Sequence, residues 1–328
     1  MKFVTALLLL AAMAGSAARA QTSENWLEAA PLASEARLLA ADRQPDAVRS
    51  LMLDVVDTGK RLIAVGERGH ILASVDGRRW LQVEVPVRSA LTAVHFIDER
   101  RGWAVGHDAV ILMSADGGRS WTLQQFRPEL EKPLLDVLFL DERRGYAVGA
   151  FGLFLASEDG GTTWTERRLA AVGAAEPDLH SLTRLGNGDL LLTGERGLLL
   201  LSTDQGRSWT RLNSPVGVTV FAAAAWSASG VLICGLRGQA WVSRRPRVGG
   251  WHRIDTGTQA GLHGCAAIDP GHAAMVGHDG TILVADLARR EVRGYRSPSP
   301  STWSAVARWQ ANLVLAGQAG LRALGPVR

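Results

Sequence analysis

From residue 50 onward, short apolar runs alternate with glycine- and aspartate-rich turns, and no run continues long enough for a helix. One unit, PLLDVLFLDERRGYAVGAFGLFLASEDGGTTWTERRL, divides into apolar or alternating segments at 134–140, 145–149, 153–157 and 164–169. The separators DERRG, GAFG and SEDGG carry the residues that tight turns need, so the unit predicts four strands, A to D. A glycine follows each second apolar run, at Gly66, Gly106, Gly149, Gly194, Gly235, Gly277 and Gly317, with spacings of 40, 43, 45, 41, 42 and 40. That is the period of a four-stranded propeller blade. An α-solenoid has a similar period, but glycine and Asp-Gly interrupt each unit too often for helices.

The third segment of most units ends in one motif. SADGGRSW carries Ser114, Asp116, Gly118 and Trp121; SEDGGTTW carries Ser157, Asp159, Gly161 and Trp164; STDQGRSW carries Ser202, Asp204, Gly206 and Trp209. A shortened SVDGRRW runs over 74–80. Serine and aspartate can bond backbone amides in a hairpin where glycine supplies positive φ, and the tryptophan is placed to plug the space between sheets. Blades five and six are degenerate. SRRPRVGGW keeps only Ser243 and Trp251, and VADLARREVRGY only an aromatic, Tyr295, which is read as the head of that strand D.

Blade seven stops before any tryptophan-led strand, while Trp26 stands alone near the N-terminus. The expectation is an all-β, seven-bladed β-propeller of four-stranded blades. Residues 21–32 would close it by completing the last blade with a strand near 25–30, residues 33–47 would be a helical or irregular connector, and 48–328 the repeats. Residues 1–20 read as a signal peptide: Lys2, an apolar core over 3–14, and Ala18-Arg19-Ala20 as the cleavage site. The apolar run is shorter than the ~20 residues of a spanning helix. Residue 21 is Gln and not Cys, so no lipid anchor is expected. Residues 21–328 are then one domain, periplasmic or secreted, without stable membrane insertion and monomeric.

The formal charge is +4, and loss of Lys2 and Arg19 would leave +2, which gives nucleic-acid binding no support. Cys234 and Cys265 are compatible with a disulfide in an oxidising compartment or with two buried thiols.

The serine-aspartate-glycine-tryptophan motif resembles the Asp-box of neuraminidase-type repeats. The units LTAVHFIDERRGWAVGHDAVILMSADGGRSW and LLDVLFLDERRGYAVGAFGLFLASEDGGTTW resemble the photosystem II stability/assembly factor family of seven-bladed propellers. That resemblance implies a non-enzymatic helper that holds a membrane-protein partner during assembly. In bacteria without photosystems it implies company with transporters of the resistance-nodulation-division type.

A sialidase-like glycoside hydrolase is the enzymatic alternative, but it needs a Tyr/Glu nucleophile, and Tyr146 and Tyr295 fall at packing positions. Paired hydrolytic carboxylates, a nucleophile elbow and metal-binding spacings are not evident. His107 and His278 occupy equivalent turns of non-adjacent blades, which does not make a shared metal shell. No cofactor or metal is expected. A carbohydrate-binding propeller would require exposed aromatics in shallow pockets, several of Trp226, Trp241, Trp303 and Trp309 on one face. The B-to-C turns share a face with the D-to-A loops and vary while the strands do not. Arg68, His107, Phe151, Arg196, Arg237 and His278 are therefore candidate partner-binding residues, alongside the Glu67, Asp108, Glu195, Asp279 and Gln318 of the same turns. Arg100, Arg101, Arg143 and Arg144, in the A-to-B turns, form an alternative patch on the opposite face.

Overall fold

A computed structural model of the chain describes residues 38–297 and 300–326. The signal peptide, the closing strand at 25–30 and the first part of the connector lie outside the described residues. Those that follow build seven antiparallel sheets in strict sequence order, each a meander. Blade one consists of Met52–Asp57, Leu62–Gly66, Ile71–Ser74 and Leu81–Val83. Blades two to six repeat this four-stranded pattern, and among the described residues the seventh sheet has three strands, Trp303–Trp309, Asn312–Gly317 and Gly320–Leu324.

The A strands lie innermost: Met52–Asp57, Leu91–Phe96, Leu134–Phe139, Leu179–Arg184, Val220–Ala225, Leu262–Asp269 and Trp303–Trp309. Each touches the next, and the last touches the first. The ring closes by packing of sheet faces. Met52, Leu62, Ala64 and Leu72 of blade one bury against Ala307, Trp309, Val314 and Ala316 of blade seven. Residues 38–46 follow the outer side of blade one irregularly. The Ala41 amide donates to the Val85 carbonyl (3.0 Å) and the Gln44 amide to the Gln82 side chain (2.8 Å).

Each serine-aspartate hairpin saturates its own backbone. Ser114 Oγ accepts from the Gly118 amide (2.8 Å) and donates to Asp116 (2.9 Å), whose carboxylate accepts from the Arg119 and Ser120 amides and the Ser120 hydroxyl. Ser157/Asp159 and Ser202/Asp204 repeat the arrangement. Burial works against the Asp116 charge, but the donors from Ser120, Ser114 and Arg119 outweigh it and bring the carboxyl down to about 2. The Ser208 hydroxyl, with the Ser208 amide, does the same for Asp204.

The finished turn then seats on the preceding blade. A Cβ on Gly118 would lie 2.5 Å from Ile63 of blade one, on Gly161 2.2 Å from Gln124 of blade two, and on Gly206 2.5 Å from the Tyr146 ring of blade three. Trp103 donates its indole N–H to the Gly160 carbonyl (3.1 Å), and Tyr146 its hydroxyl to the Gln205 carbonyl (2.7 Å). Trp121, Trp164 and Trp209 fill the seams between blades one and two, two and three, and three and four.

Blade six departs from the expected alignment. Its strand D runs Glu291–Arg296, so Tyr295 lies inside the strand and not at its head, and packs toward blade seven. The cause is a short C-to-D turn of four residues between Asp286 and Glu291, with no room for a serine-aspartate hairpin. The Trp-led strands also begin one residue later than expected, at Leu81, Thr122, Thr165, Thr210 and His252.

The glycine that paces the repeat is required by space and not by φ. At Gly106, φ is −178°, yet a Cβ would stand 2.0 Å from the Ala90 carbonyl oxygen where the chain enters strand A. Gly66, Gly149, Gly235, Gly277 and Gly317 meet the equivalent oxygen at 1.9 to 2.3 Å. Gly106→Ala is expected to cost about 1 to 3 kcal/mol through this overlap. Gly217→Ala, with nothing within 4 Å, leaves stability within about 0.5 kcal/mol. Denaturant titration of the two variants checks the contrast.

Candidate functional site

The face that joins B to C and D to A is built from one repeated turn. Three-residue helical turns cover Glu67–Gly69, His107–Ala109, Glu195–Gly197, Leu236–Gly238 and His278–Gly280. The middle residue of each is left-handed: Arg68 (φ 56°), Asp108 (59°), Arg196 (53°), Arg237 (58°) and Asp279 (56°), with Phe151 (53°) at the same place in blade three. Glycine would hold these angles without strain, whereas an L side chain there costs about 1 to 2 kcal/mol.

These turns hold two kinds of side chain. Glu67 and Glu195 accept from the backbone amides of Leu51 and Asp178, and Gln318 from that of Thr302, so they fix the D-to-A connection. Asp108 accepts from the Ser89 hydroxyl. Arg68, Arg196 and Arg237 are exposed, and none pairs with a carboxylate among the described residues. Phe151 is 56% exposed, its amide held by Asp178 of the next blade (2.9 Å). His107 is also exposed.

The exposed His278 borders a second layer, on the A strands, that the hydrophobic pattern of the chain does not reveal. Every A strand bulges at its second residue, shifting register against strand B. The bulged residues are Leu53, Thr92, Leu135, His180, Phe221, His263 and Ser304, one per blade on the innermost strands. Bulges of this kind re-aim a side chain. Three of them form a ring-on-ring belt across blades four to six, His180 to Phe221 at 5.1 Å and Phe221 to His263 at 4.8 Å. His278 closes edge-on upon His263 at 4.3 Å and bonds the Thr302 hydroxyl (3.1 Å). Burial, aided by His278 and His180, lowers the His263 pKa to about 4, and burial also lowers that of His180. The belt is therefore neutral near pH 7, with apolar ring faces and a buried His263 Nε2 that has no hydrogen-bond partner. Each bulged residue precedes the pacing glycine by a nearly constant offset, but nothing in the alternation of the chain marks it as bulged.

Below the bulges lie two enclosed carboxyls. Asp54 accepts from the Val55 amide and, across the seam, from the Val94 amide of blade two (2.9 Å). Asp136 accepts from the Val137 amide and from the Leu182 amide of blade four (2.7 Å). Burial raises Asp54 to about 6, while burial and the nearby charge of Asp54 raise Asp136 to about 7. Both oxygens of each group are occupied by backbone amides, which makes them blade couplers. His95 on the same wall bonds the Phe139 carbonyl (3.2 Å), and burial lowers its pKa to about 4.

The opposite face is electrically different. Arg101 pairs with Asp98 (3.5 Å) and Glu142, and Arg144 with Asp141 (2.7 Å) and Gln205 (2.6 Å). The Arg143 guanidinium donates to the Glu158 carbonyl (3.3 Å), while Arg100 bonds Asp98 through its backbone. The aromatics that a carbohydrate-binding surface would need are dispersed. Trp303 and Trp309 are buried, Trp241 donates to Gln239, and Trp226 lies beneath the Arg244 guanidinium. Cys234 and Cys265 are free thiols on neighbouring blades; the hydrogen bond of the Cys234 thiol with Cys265, and burial, raise the Cys234 pKa. No cluster of metal-ligating side chains occurs among the described residues.

The profile of the family described as photosynthesis system II assembly factor YCF48 matches residues 72–131 and 122–216. The solved structure of YCF48 bound to D1 peptide superposes with a TM-score of 0.68 at 17% identity, over 89% of this chain and 100% of that one. YCF48 from Cyanidioschyzon merolae gives 0.69 at 18% identity, over 84% and 96%. The WD40 propeller domain of Doa1 gives 0.69 at 12%, over 88% and 95%. No curated protein sequence matches.

A carboxyl with a raised folded pKa stabilises the fold fully below its unfolded value of 3.8, and that contribution is lost as pH climbs through the folded value. Asp136→Asn removes the titration but also one acceptor, so it carries a constant penalty. Its stability relative to the parent chain is expected to improve between pH 4 and pH 7, by at most about 1.4 kcal/mol per pH unit. Paired denaturant titrations across that range check this, and a pH-independent difference would remove Asp136 from the titrating groups.

Proposed function

We propose, from the premise that the chain is a photosystem II assembly factor-like seven-bladed propeller, that it is a non-enzymatic assembly factor holding a segment of a partner protein at its B-to-C face. The observation that carries this reading is the set of non-glycine side chains at left-handed positions in six blades. The turn geometry asks for glycine, and side chains held in strained backbone on one face are what a binding surface retains. Arg68, Arg196 and Arg237 supply unpaired donors, Phe151 an exposed apolar anchor, and the His180–Phe221–His263 belt a neutral, stackable floor. Arginine and aromatic side chains are those enriched at interface centres.

The proposed partner is a membrane-associated protein of the bacterial envelope, met in the periplasm. YCF48 bound to a D1 peptide supports the reading by showing a relative of this fold with a peptide. Company with a resistance-nodulation-division type transporter is the bacterial form of the same proposal.

Capture from detergent-solubilised membranes tests it. Charge reversal at two mouth positions, Arg196→Glu with Arg237→Glu, is expected to reduce recovered partner at least tenfold without moving the melting temperature. If reversal of Arg100, Arg101, Arg143 and Arg144 abolishes capture while the mouth variant captures normally, the binding face is the other one.

A further inference from the structure

On the face away from the mouth, a crevice of about 590 Å³ opens between blades five and six, and it arises from the two degenerate repeats. In blades one to four the residue two places beyond the turn serine is Asp76, Asp116, Asp159 or Asp204. In blade five that place is Arg245. Ser243 instead accepts from the Arg245 amide (3.1 Å) and donates to the Gly249 carbonyl (2.7 Å), and the loop bows outward through Gly249 and Gly250 at positive φ. Blade six cannot cover the gap. Its C-to-D turn is too short for a hairpin that would seat on blade five, and that turn contributes Leu287 to the seam.

The crevice has an apolar floor of Val242, Leu287 and the Trp226 ring, with the Arg244 guanidinium 5.2 Å above that ring. Its rim carries Arg244, Arg245 and Arg290, and no carboxylate lines it. None of these three arginines has an ion-pair partner among the described residues, in contrast to Arg101 and Arg144 on the same face. Across the ridge of Val248 and Gly249 a second crevice of about 380 Å³ continues toward blade four, also without an acid and carrying Arg211 and Arg247. Val248, at 76% exposure, tops the ridge. Clustered like charges repel one another unless an anion is supplied.

We propose that this paired crevice is a second binding site, independent of the mouth, for an extended acidic segment of a protein partner that carries an apolar anchor residue. The anchor enters the floor beside Trp226, against Val242 and Leu287, and flanking carboxylates meet the arginines on both sides of the ridge in charge-assisted pairs. A single anionic headgroup engages one crevice; a chain several residues long engages both, which is why a peptide is the occupant the shape favours.

The test uses fluorescence anisotropy of the purified chain with a fluorescein-labelled ten-residue probe of glutamates and two phenylalanines, blocked at its C-terminus. Saturable binding that weakens with added salt is expected. Arg244→Ser with Arg290→Ser is expected to raise the Kd at least tenfold at unchanged melting temperature, and Arg196→Glu with Arg237→Glu to leave it unchanged. No saturable binding to the parent chain, or equal affinity in the crevice variant, overturns the proposal. So does a third outcome, in which phosphatidylglycerol vesicles co-sediment with the parent chain but not with the crevice variant, while the peptide fails to bind. A loss confined to the mouth variant also overturns it, placing the peptide at the other face. Failure of membrane capture by the mouth leaves this result independent.

Discussion

The ring depends on a hairpin that has satisfied itself before it meets its neighbour. In a tight turn the amides point outward and normally take water, so pressing such a turn into a seam would strand them. Here Asp116 and Ser114 accept those amides from within the turn, and the remaining carbonyls are offered across the seam. Trp103 and Tyr146 take that offer in consecutive blades. Glycine at the seat lets the turn lie directly on the preceding strand B. Each blade is thereby keyed to the one before it, and stability accumulates through nearest-neighbour seams as in other repeat arrays.

The A strands add a second coupling near the axis. Asp54 and Asp136 reach across a seam to a backbone amide, Thr92 donates to the Leu134 carbonyl (2.7 Å), and Thr183 to the Ala223 carbonyl (3.1 Å). Thr92 is itself a bulged residue, and Asp54 and Asp136 follow the bulges at Leu53 and Leu135, at the place where ladder bonding is interrupted. A bulge frees one side chain per blade from packing, so seven positions at the mouth vary without altering the sheets behind them. The scaffold and the variable surface thus come from one backbone irregularity repeated seven times.

Fold was legible because its determinants are local and repeated. The pacing glycines, the serine-aspartate turns and the tryptophans each answer to a steric or hydrogen-bonding need within a blade, and seven copies make the period unmistakable. The exposed arginines at the mouth were legible as turn residues that differ between copies. The belt of His180, Phe221 and His263 was not, because a bulge is invisible to alternation counting and the three rings meet only after the blades are arranged in a circle. Tyr295 was misplaced for a related reason. With the hairpin gone from blade six, nothing in VADLARREVRGY marks where strand D begins, and its one aromatic lies inside the strand and not at the tryptophan's place.

Charge placement separates the two faces by the same logic. On the A-to-B side, Asp98 and Asp141 sit three residues ahead of Arg101 and Arg144, so those turns neutralise themselves as they form. On the B-to-C side, the acids Glu67 and Glu195 are spent on backbone amides, and the adjacent arginines receive no counter-charge. The loop of blade five reaches the same result by another route: its one expected acid is replaced by Arg245, and its serine bonds the backbone alone. An unpaired arginine in this chain is therefore the result of where the neighbouring carboxylates are committed. The surfaces left cationic are those on which the acids are committed to backbone amides or, in the loop of blade five, replaced.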